Sequence, residues 1–258
     1  MLVVMHARRL LHMRSGVQEL LLFRKDSPDL LNSCKKGGCY AARIALFALV
    51  PMFAHEDSFA EHLSGRIETH VHEGGPPATA VVYAEPLDQP APVRPDTFII
   101  AQKNKSFAPH VLGVPPGSAV SFPNEDAIFH NVFSLSPPQP FDLGLYRAGQ
   151  SRTRTFSQPT VYHVFCNIHP QMAAFLVVAP SPWVTTTAPD GSWRLDLPAG
   201  RYRITALSER AAPVSVEVTV APQSSQSAVL TLQETKSVQT NHVNKFGKPY
   251  PASAYRAK

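Results

Sequence analysis

Residues 165 to 172 read Phe165-Cys166-Asn167-Ile168-His169-Pro170-Gln171-Met172, so a thiol, an imidazole and a thioether recur every third residue. The run follows a strand-forming stretch, VYHVF, on which Tyr162, Val164 and Cys166 share one face because side chains alternate along a strand. The sulfur is therefore expected at the end of a core, with His169 and Met172 returning on the loop that follows. A second imidazole stands upstream, His130 in Ile128-Phe129-His130-Asn131-Val132-Phe133, on a strand expected to pair with or neighbour the Cys166 strand. Two imidazoles and a thiolate in one plane, with a long thioether bond on the axis, form the ligand set of a copper ion that gains and loses one electron. Sulfur suits Cu(I), imidazole suits both oxidation states, and a stiff β scaffold restrains rearrangement between them. Zinc on one Cys and two His with an open fourth position is the rival. Met172 argues against zinc, for which a thioether is a poor ligand.

Each of these residues also has a plainer role. A lone Cys serves as a small buried hydrophobe or a reactive thiol, Met as a gap filler, and a strand His as a donor to a backbone carbonyl. Their joint spacing sets the ligand reading ahead. His110 and His163 fall outside that spacing and are read as structural; His55, His62, His70 and His72 are read as part of a solvated polar face. There is no G-x-S-x-G, phosphate loop, H-E-x-x-H or placed carboxylate pair, so an enzyme is not expected.

The elements that must position these residues are short strands. Twenty-five Pro against 13 Gly, in a 258-residue chain that is 44% hydrophobic and 17% charged, punctuate runs rich in Val, Thr, Phe and Ile, which favours an all-β fold. From Thr97 the runs are FIIAQ, HVLGV, SAVSF, HNVFS, RTRTF, VYHVFC and AAFLVV, spaced as in a β-sandwich. Leu63 to Glu68 and Ala78 to Glu85 read as two earlier strands, and VTTTA, WRLDL, YRITAL and VSVEVTV as later ones beyond the joint Pro180-Ser181-Pro182. The expected organisation is a leader over 1–60, N-terminal strands over 61–95, the metal domain over 96–180, a β unit over 181–222 and a polar tail over 223–258. The two flanking pieces are each too small for a domain. Joined, they supply about six strands around Val81, Trp193, Leu195, Tyr202 and Ile204, with the metal domain inserted between them. The alternative is that residues 63–85 add strands to the metal domain itself.

Charge and cysteine usage bear on compartment. Residues 1–54 carry eight Lys/Arg and three acids, while the remainder carries sixteen of each; with a neutral folded part, nucleic acid is not an expected partner. Lys35, Lys36 and Arg43 precede the apolar run IALFALVPMF, too short to span a bilayer, and Ser58-Phe59-Ala60 supplies the small residues of a cleavage site. A signal peptide removed near Ala60 and a periplasmic location are expected, with no membrane span in the mature chain. Cys34 and Cys39 would leave with the leader, so Cys166 cannot form an internal disulfide.

Phe129-His130-Asn131-Val132-Phe133 resembles the first-histidine strand of plastocyanins, and Cys-x-x-His-x-x-Met is similar to the short ligand loop of amicyanins, so the region from Thr97 to Pro180 resembles a cupredoxin. QKNKSFAPHVLGVPPGSAVSFPN, FDLGLYRAGQ and the tail NKFGKPYP resemble exported methylamine utilisation protein-like chains, and the flanking strands resemble a carboxypeptidase regulatory-like sandwich. The resemblance implies a Greek-key cupredoxin β-sandwich plus a smaller β-sandwich, and one type 1 copper ion on His130, Cys166, His169 and Met172. It also implies a role for Asn131 in tying the two ligand loops, and electron exchange through the exposed edge of His169. Transient redox protein partners are expected, docking on apolar residues such as Pro170 and Ala173. A copper carrier or accessory protein without electron transfer is the alternative function.

Overall fold

The computed structural model describes residues 61–70, 79–222, 225–234 and 242–250, and every regular element among them is a β-strand. β1 (Glu61–His70) and β2 (Ala80–Pro86) come first. The middle of the chain forms β3 (Thr97–Ile99), β4 (Ala101–Lys103), β5 (Ser106–Ala108), β6 (Val111–Val114), β7 (Ser118–Pro123), β8 (His130–Ser134), β9 (Phe141–Tyr146), β10 (Ser151–Phe156), β11 (Thr160–Phe165) and β12 (Ala173–Val178). β13 (Val184–Thr186), β14 (Ser192–Leu197), β15 (Gly200–Ser208), β16 (Ala211–Val220) and β17 (Ser225–Gln233) follow. The fold is all-β.

The middle strands form a sandwich of two principal sheets, ordered β6-β12-β11-β8-β9 and β10-β7-β3. β11 and β8 are sheet neighbours although β9 and β10 separate them in the chain, and β10 lies in the opposite sheet, which is the Greek-key connection. Alternation decides which residues enter: Ser118, Val120 and Phe122 of β7 are buried while their neighbours are half-buried. Between the sheets lie Val120, Phe122, Val132, Phe141, Phe156, Tyr162, Val164 and Leu176, with Cys166 and Met172 in the same cluster. The rings of Phe141, Phe156 and Tyr162 meet edge to face at 5.0 to 5.9 Å, the favoured arrangement of aromatic quadrupoles. β9 and β5 are strands that the sequence pattern misses, since Asp142 and Gly144 interrupt alternation in β9 and β5 spans three residues.

The flanking strands pair with one another. β2 bonds to β13 and β15, and β1 lies between β14 and β17, giving sheets ordered β13-β2-β15-β16 and β14-β1-β17. Leu63, Ile67, Val82, Trp193, Leu195, Leu197, Ile204 and Leu232 fill the space between them. In β14 the buried Trp193, Leu195 and Leu197 alternate with exposed Ser192, Arg194 and Asp196. The reading of 223–258 as a polar tail is corrected here, because Ser225–Gln233 form β17, parallel to β1 along nine residue pairs. Leu230 and Leu232 enter the core at the end of a Ser- and Gln-rich run, with Thr231 between them. This second sandwich therefore has seven strands, not about six.

The chain leaves this sandwich after β2 and returns at β13, and the two crossings touch. Ser181 Oγ donates to Ala84 O, and Ala84 N donates to Trp183 O at 2.9 Å. The sandwiches meet through Val81, Val111, Phe175, Val177 and Leu207. At Gly113 any side chain would run into Val81 and Val184, which lets the Gly113 amide reach Thr186 Oγ1 at 3.2 Å.

Candidate metal centre

Antiparallel pairing of β11 with β8 sets Phe165 opposite Phe133. His130, at the start of β8, and Cys166, just past the end of β11, are both fully buried at the same end of the sandwich. The loop from Cys166 to Met172 is closed by its own backbone: Met172 N donates to His169 O at 2.9 Å, and Cys166 N to Met172 O at 3.3 Å. This turn brings His169 back over the other two. His130 Nδ1 and His169 Nδ1 lie 3.1 Å apart, and each is 3.8 Å from Cys166 Sγ. Among the described residues these three form the one cluster of His, Cys and acidic side chains close enough to share an ion. A point equidistant from the three atoms is about 2.1 Å from each, within the bond lengths of nitrogen and sulfur to first-row metal ions. Met172 is fully buried in the core beside Cys166.

The surroundings favour metal donors over an ordinary hydrogen-bonded cluster. His130 Nε2 lies 2.7 Å from Asp126 Oδ2; a carboxylate only accepts, so Nε2 carries the proton and Nδ1 turns its lone pair toward the triangle. Burial works to raise Asp126, but the Lys105 amide, the His130 ring and the Asn104 amide outweigh it and hold the carboxyl below its ordinary range. Burial pushes the Cys166 thiol up, against the backbone amides of Asn131, Ile168 and His169 that are directed at the sulfur. These three donors oppose that rise without overcoming it, and they are placed to stabilise a thiolate once an ion displaces the proton. His169 is held below the usual imidazole value by burial, then by repulsion from His130 and Lys105, which keeps it neutral and able to donate a lone pair.

Several expected residues sit differently from the sequence reading. The Asn131 amide N–H faces Cys166 Sγ, but its side chain turns to β9, where Nδ2 donates to Asp142 Oδ1 at 2.6 Å and Gly144 O at 2.9 Å. The tie toward the Cys166 loop is therefore main-chain. Pro170 is buried, so the expected docking surface at Pro170 is corrected: its carbonyl accepts from His242 Nε2 at 2.6 Å. The apolar residues that do face outward beside the ligand positions are Phe129, 53% exposed, and Ile168, 45% exposed. His110 stays away from the cluster, between Ala173 O and Glu209. Asp126 was missed because its partner depends on loop shape; His242 and Tyr250 were missed because only the fold brings them to Cys166. The expected leader, its cleavage site, His55 and His72 lie outside the described residues, and no helix among those residues is long and apolar enough to cross a membrane.

No family model matches the chain, and no curated protein matches it. Among solved structures it is similar to a copper-containing nitrite reductase from Thermus scotoductus SA-01, at 28% identity over 36% of this chain and 25% of that one, with a TM-score of 0.30. It is similar also to a methionine-to-alanine variant of amicyanin in the Cu(I) form, at 21% identity over 32% of this chain and 81% of that one, with a TM-score of 0.30. An oxidised proline-to-alanine variant of amicyanin gives 22% identity over the same shares and a TM-score of 0.31.

Proposed function

We propose that the chain is an exported type 1 copper protein, not an enzyme, that carries single electrons, with one ion held by His130, Cys166, His169 and Met172. The observation that carries this reading is the triangle of His130 Nδ1, His169 Nδ1 and Cys166 Sγ, with sides of 3.1, 3.8 and 3.8 Å. Copper bound there would supply a centre that takes up and returns one electron. The protein's own residues do the rest. Asp126 accepts a hydrogen bond from His130 Nε2, three backbone amides point at the Cys166 sulfur against the effect of its burial, and Cys166 and Met172 are fully buried. Met172, buried in the same cluster as Cys166, would supply the fourth donor. His169 is the partly exposed member of the set, and the outward-facing Phe129 and Ile168 beside the two imidazoles suit brief docking of a redox protein.

The domain organisation belongs to the same proposal: a copper sandwich over 96–180 inserted into a carboxypeptidase regulatory-like host, within an exported, methylamine utilisation protein-like chain. Pairing of β2 with β13 and β15, and contact between the two crossings, support it. Metal content measured with the visible spectrum of the purified exported protein tests the function. One copper per chain with an intense thiolate charge-transfer band and reversible reduction is expected. Copper without that band, or readily lost to a chelator, would mark a copper carrier instead. N-terminal sequencing should find the mature chain beginning after Ala60.

A further inference from the structure

Residues 242–250 form a small hairpin of their own. Val243 pairs with Pro249, Asn244 N donates to Lys248 O at 2.8 Å, and Asn244 Oδ1 accepts from the amides of Phe246 and Lys248 at 2.9 and 3.1 Å. Gly247, with φ of 73°, closes the turn. Its two feet, His242 and Tyr250, meet edge to face at 5.2 Å, and both stand on the loop that carries Cys166, His169 and Met172. His242 Nε2 donates to Pro170 O at 2.6 Å, and its ring stacks on Phe165 at 3.8 Å. Tyr250 donates its hydroxyl to Cys166 O at 3.2 Å. Between the feet, Lys245 N donates to Asn167 Oδ1 at 3.0 Å. Lys245 Nζ reaches Asp142 at 2.7 Å, and Asp142 in turn accepts from Asn131, the neighbour of His130.

We propose that this C-terminal hairpin is a clasp that holds the ligand loop in its metal-ready shape, with His242 and Tyr250 as positioning residues. The clasp rests on the copper reading for its purpose but not for its action. Of the seven residues from Cys166 to Met172, three receive a hydrogen bond from the hairpin. The loop's internal bonds alone, His169 O to Met172 N and Met172 O to Cys166 N, leave its middle carbonyls and the Asn167 side chain unheld. A loop held in place before the ion arrives pays less ordering entropy on binding and reopens more slowly.

The test uses the full-length protein with His242→Phe and Tyr250→Phe, singly and combined. Each keeps an aromatic ring in place; Tyr250→Phe removes the hydroxyl on Cys166 O, and His242→Phe removes both ring nitrogens, the one on Pro170 O and the one on Val243 O. In the metal-free protein, amide exchange at Asn167 to Gln171 should quicken about tenfold in the double variant, as expected for losing bonds of ordinary strength. β11 and β12 should exchange unchanged. In the copper-loaded protein, transfer of the ion to a chelator should quicken by a similar factor and the thiolate band should shift; His242→Gln, which restores a donor at that position, should recover most of the loss. Unchanged exchange in the loop would overturn the clasp, as would acceleration spread evenly over β11 and β12, which reports general loosening. If the wild-type chain binds no copper while loop exchange still quickens in the variants, the clasp stands and the copper reading falls.

Discussion

The two sandwiches are built by the same rule and end differently. Each buries alternating apolar residues of short strands between two sheets, and each contains a fully buried tyrosine whose hydroxyl finds a backbone carbonyl: Tyr202 to Pro198 O in the flanking sandwich, and Tyr146 to Phe122 O in the middle one. In the flanking sandwich the other buried polar residues are Ser181, Thr187, Thr205, Ser208 and the ion-paired Glu234, four of them small hydroxyls. The middle sandwich buries Gln102, Asn124, His130 and Asn131 as well. These residues bond to Phe122 O, Ile128 O, Tyr146 O, Asp126 and Gly144 O, all on segments that lead into or brace His130. Buried polar groups are costly unless satisfied, and this domain concentrates them at one end. The comparison separates a core that only stabilises from a core that also positions.

The sharpest break of that comparison is expected at Cys166. Cys166→Ser should abolish the charge-transfer band and weaken copper binding by more than about 100-fold, since loss of an outer-shell partner alone costs 10–100-fold. The flanking sandwich should keep its melting behaviour; survival of the band would show that the sulfur is not a ligand. The reverse experiment is Gly65→Ala. A side-chain carbon there would lie 2.0 Å from Ala228 O and 2.5 Å from the Trp193 ring. Because backbone must shift to relieve it, the variant should lose about 3 kcal/mol of stability while its visible spectrum stays unchanged. A change in that spectrum would mean that the two sandwiches are mechanically coupled. Met172→Leu should cost less than about 1.5 kcal/mol in packing, keep a coloured site and raise the reduction potential, because the oxidised ion loses a donor. Complete loss of copper in this variant would show that Met172 does more than an axial ligand does.

How much of this was legible depends on whether a feature is local. Tyr162, Val164 and Cys166 lie on one face by strand period alone, and the Cys166 to Met172 spacing closes within one turn, so these positions could be read directly. His130 could be proposed because it begins an apolar run that must share a core with Cys166. β17 could not: Leu230 and Leu232 are its two deeply buried side chains, and its stability comes from parallel pairing with β1, more than 150 residues away in the chain. His242 and Tyr250 share that difficulty, since only the folded chain brings them to the Cys166–Met172 loop, whereas Asp126, four residues before His130, meets it through the shape of the loop between them. The Pro-rich joint at 180–182 was visible as composition, but the contact of Ser181 with Ala84 depends on where β2 lies.

The smallest expected effect concerns the seam between the sandwiches. His110 of the middle sandwich places Nε2 2.7 Å from Glu209 Oε2 of the flanking one, and its Nδ1 2.9 Å from Ala173 O. The hydrogen bond to Glu209 raises His110 above its ordinary value of 6.5, against burial, which lowers it. The same bond lowers Glu209 below its ordinary 4.5, helped by charge from His110, His163 and Arg210. A raised histidine contributes stability that is complete below its unfolded value and is lost as pH rises through its folded one. A lowered carboxylate contributes stability that is complete above its unfolded value and is lost as pH falls through its folded one. The pair should therefore contribute most between about pH 4.5 and 6.5 and fade on both sides. His163 and His169, both lowered mainly by burial, bias the whole protein the other way as pH falls below their ordinary 6.5, so the quantity to measure is the difference between wild type and Glu209→Gln. The His110 side chain is 50% exposed, and solvent screening reduces the difference to about 0.3–1 kcal/mol, or roughly 1–3 °C in melting temperature. Thermal unfolding of both proteins at pH 5.5 and pH 9 reads it: a gap present at pH 5.5 and nearly closed at pH 9 is expected, and an equal gap at both would show that the seam is held by packing instead of charge.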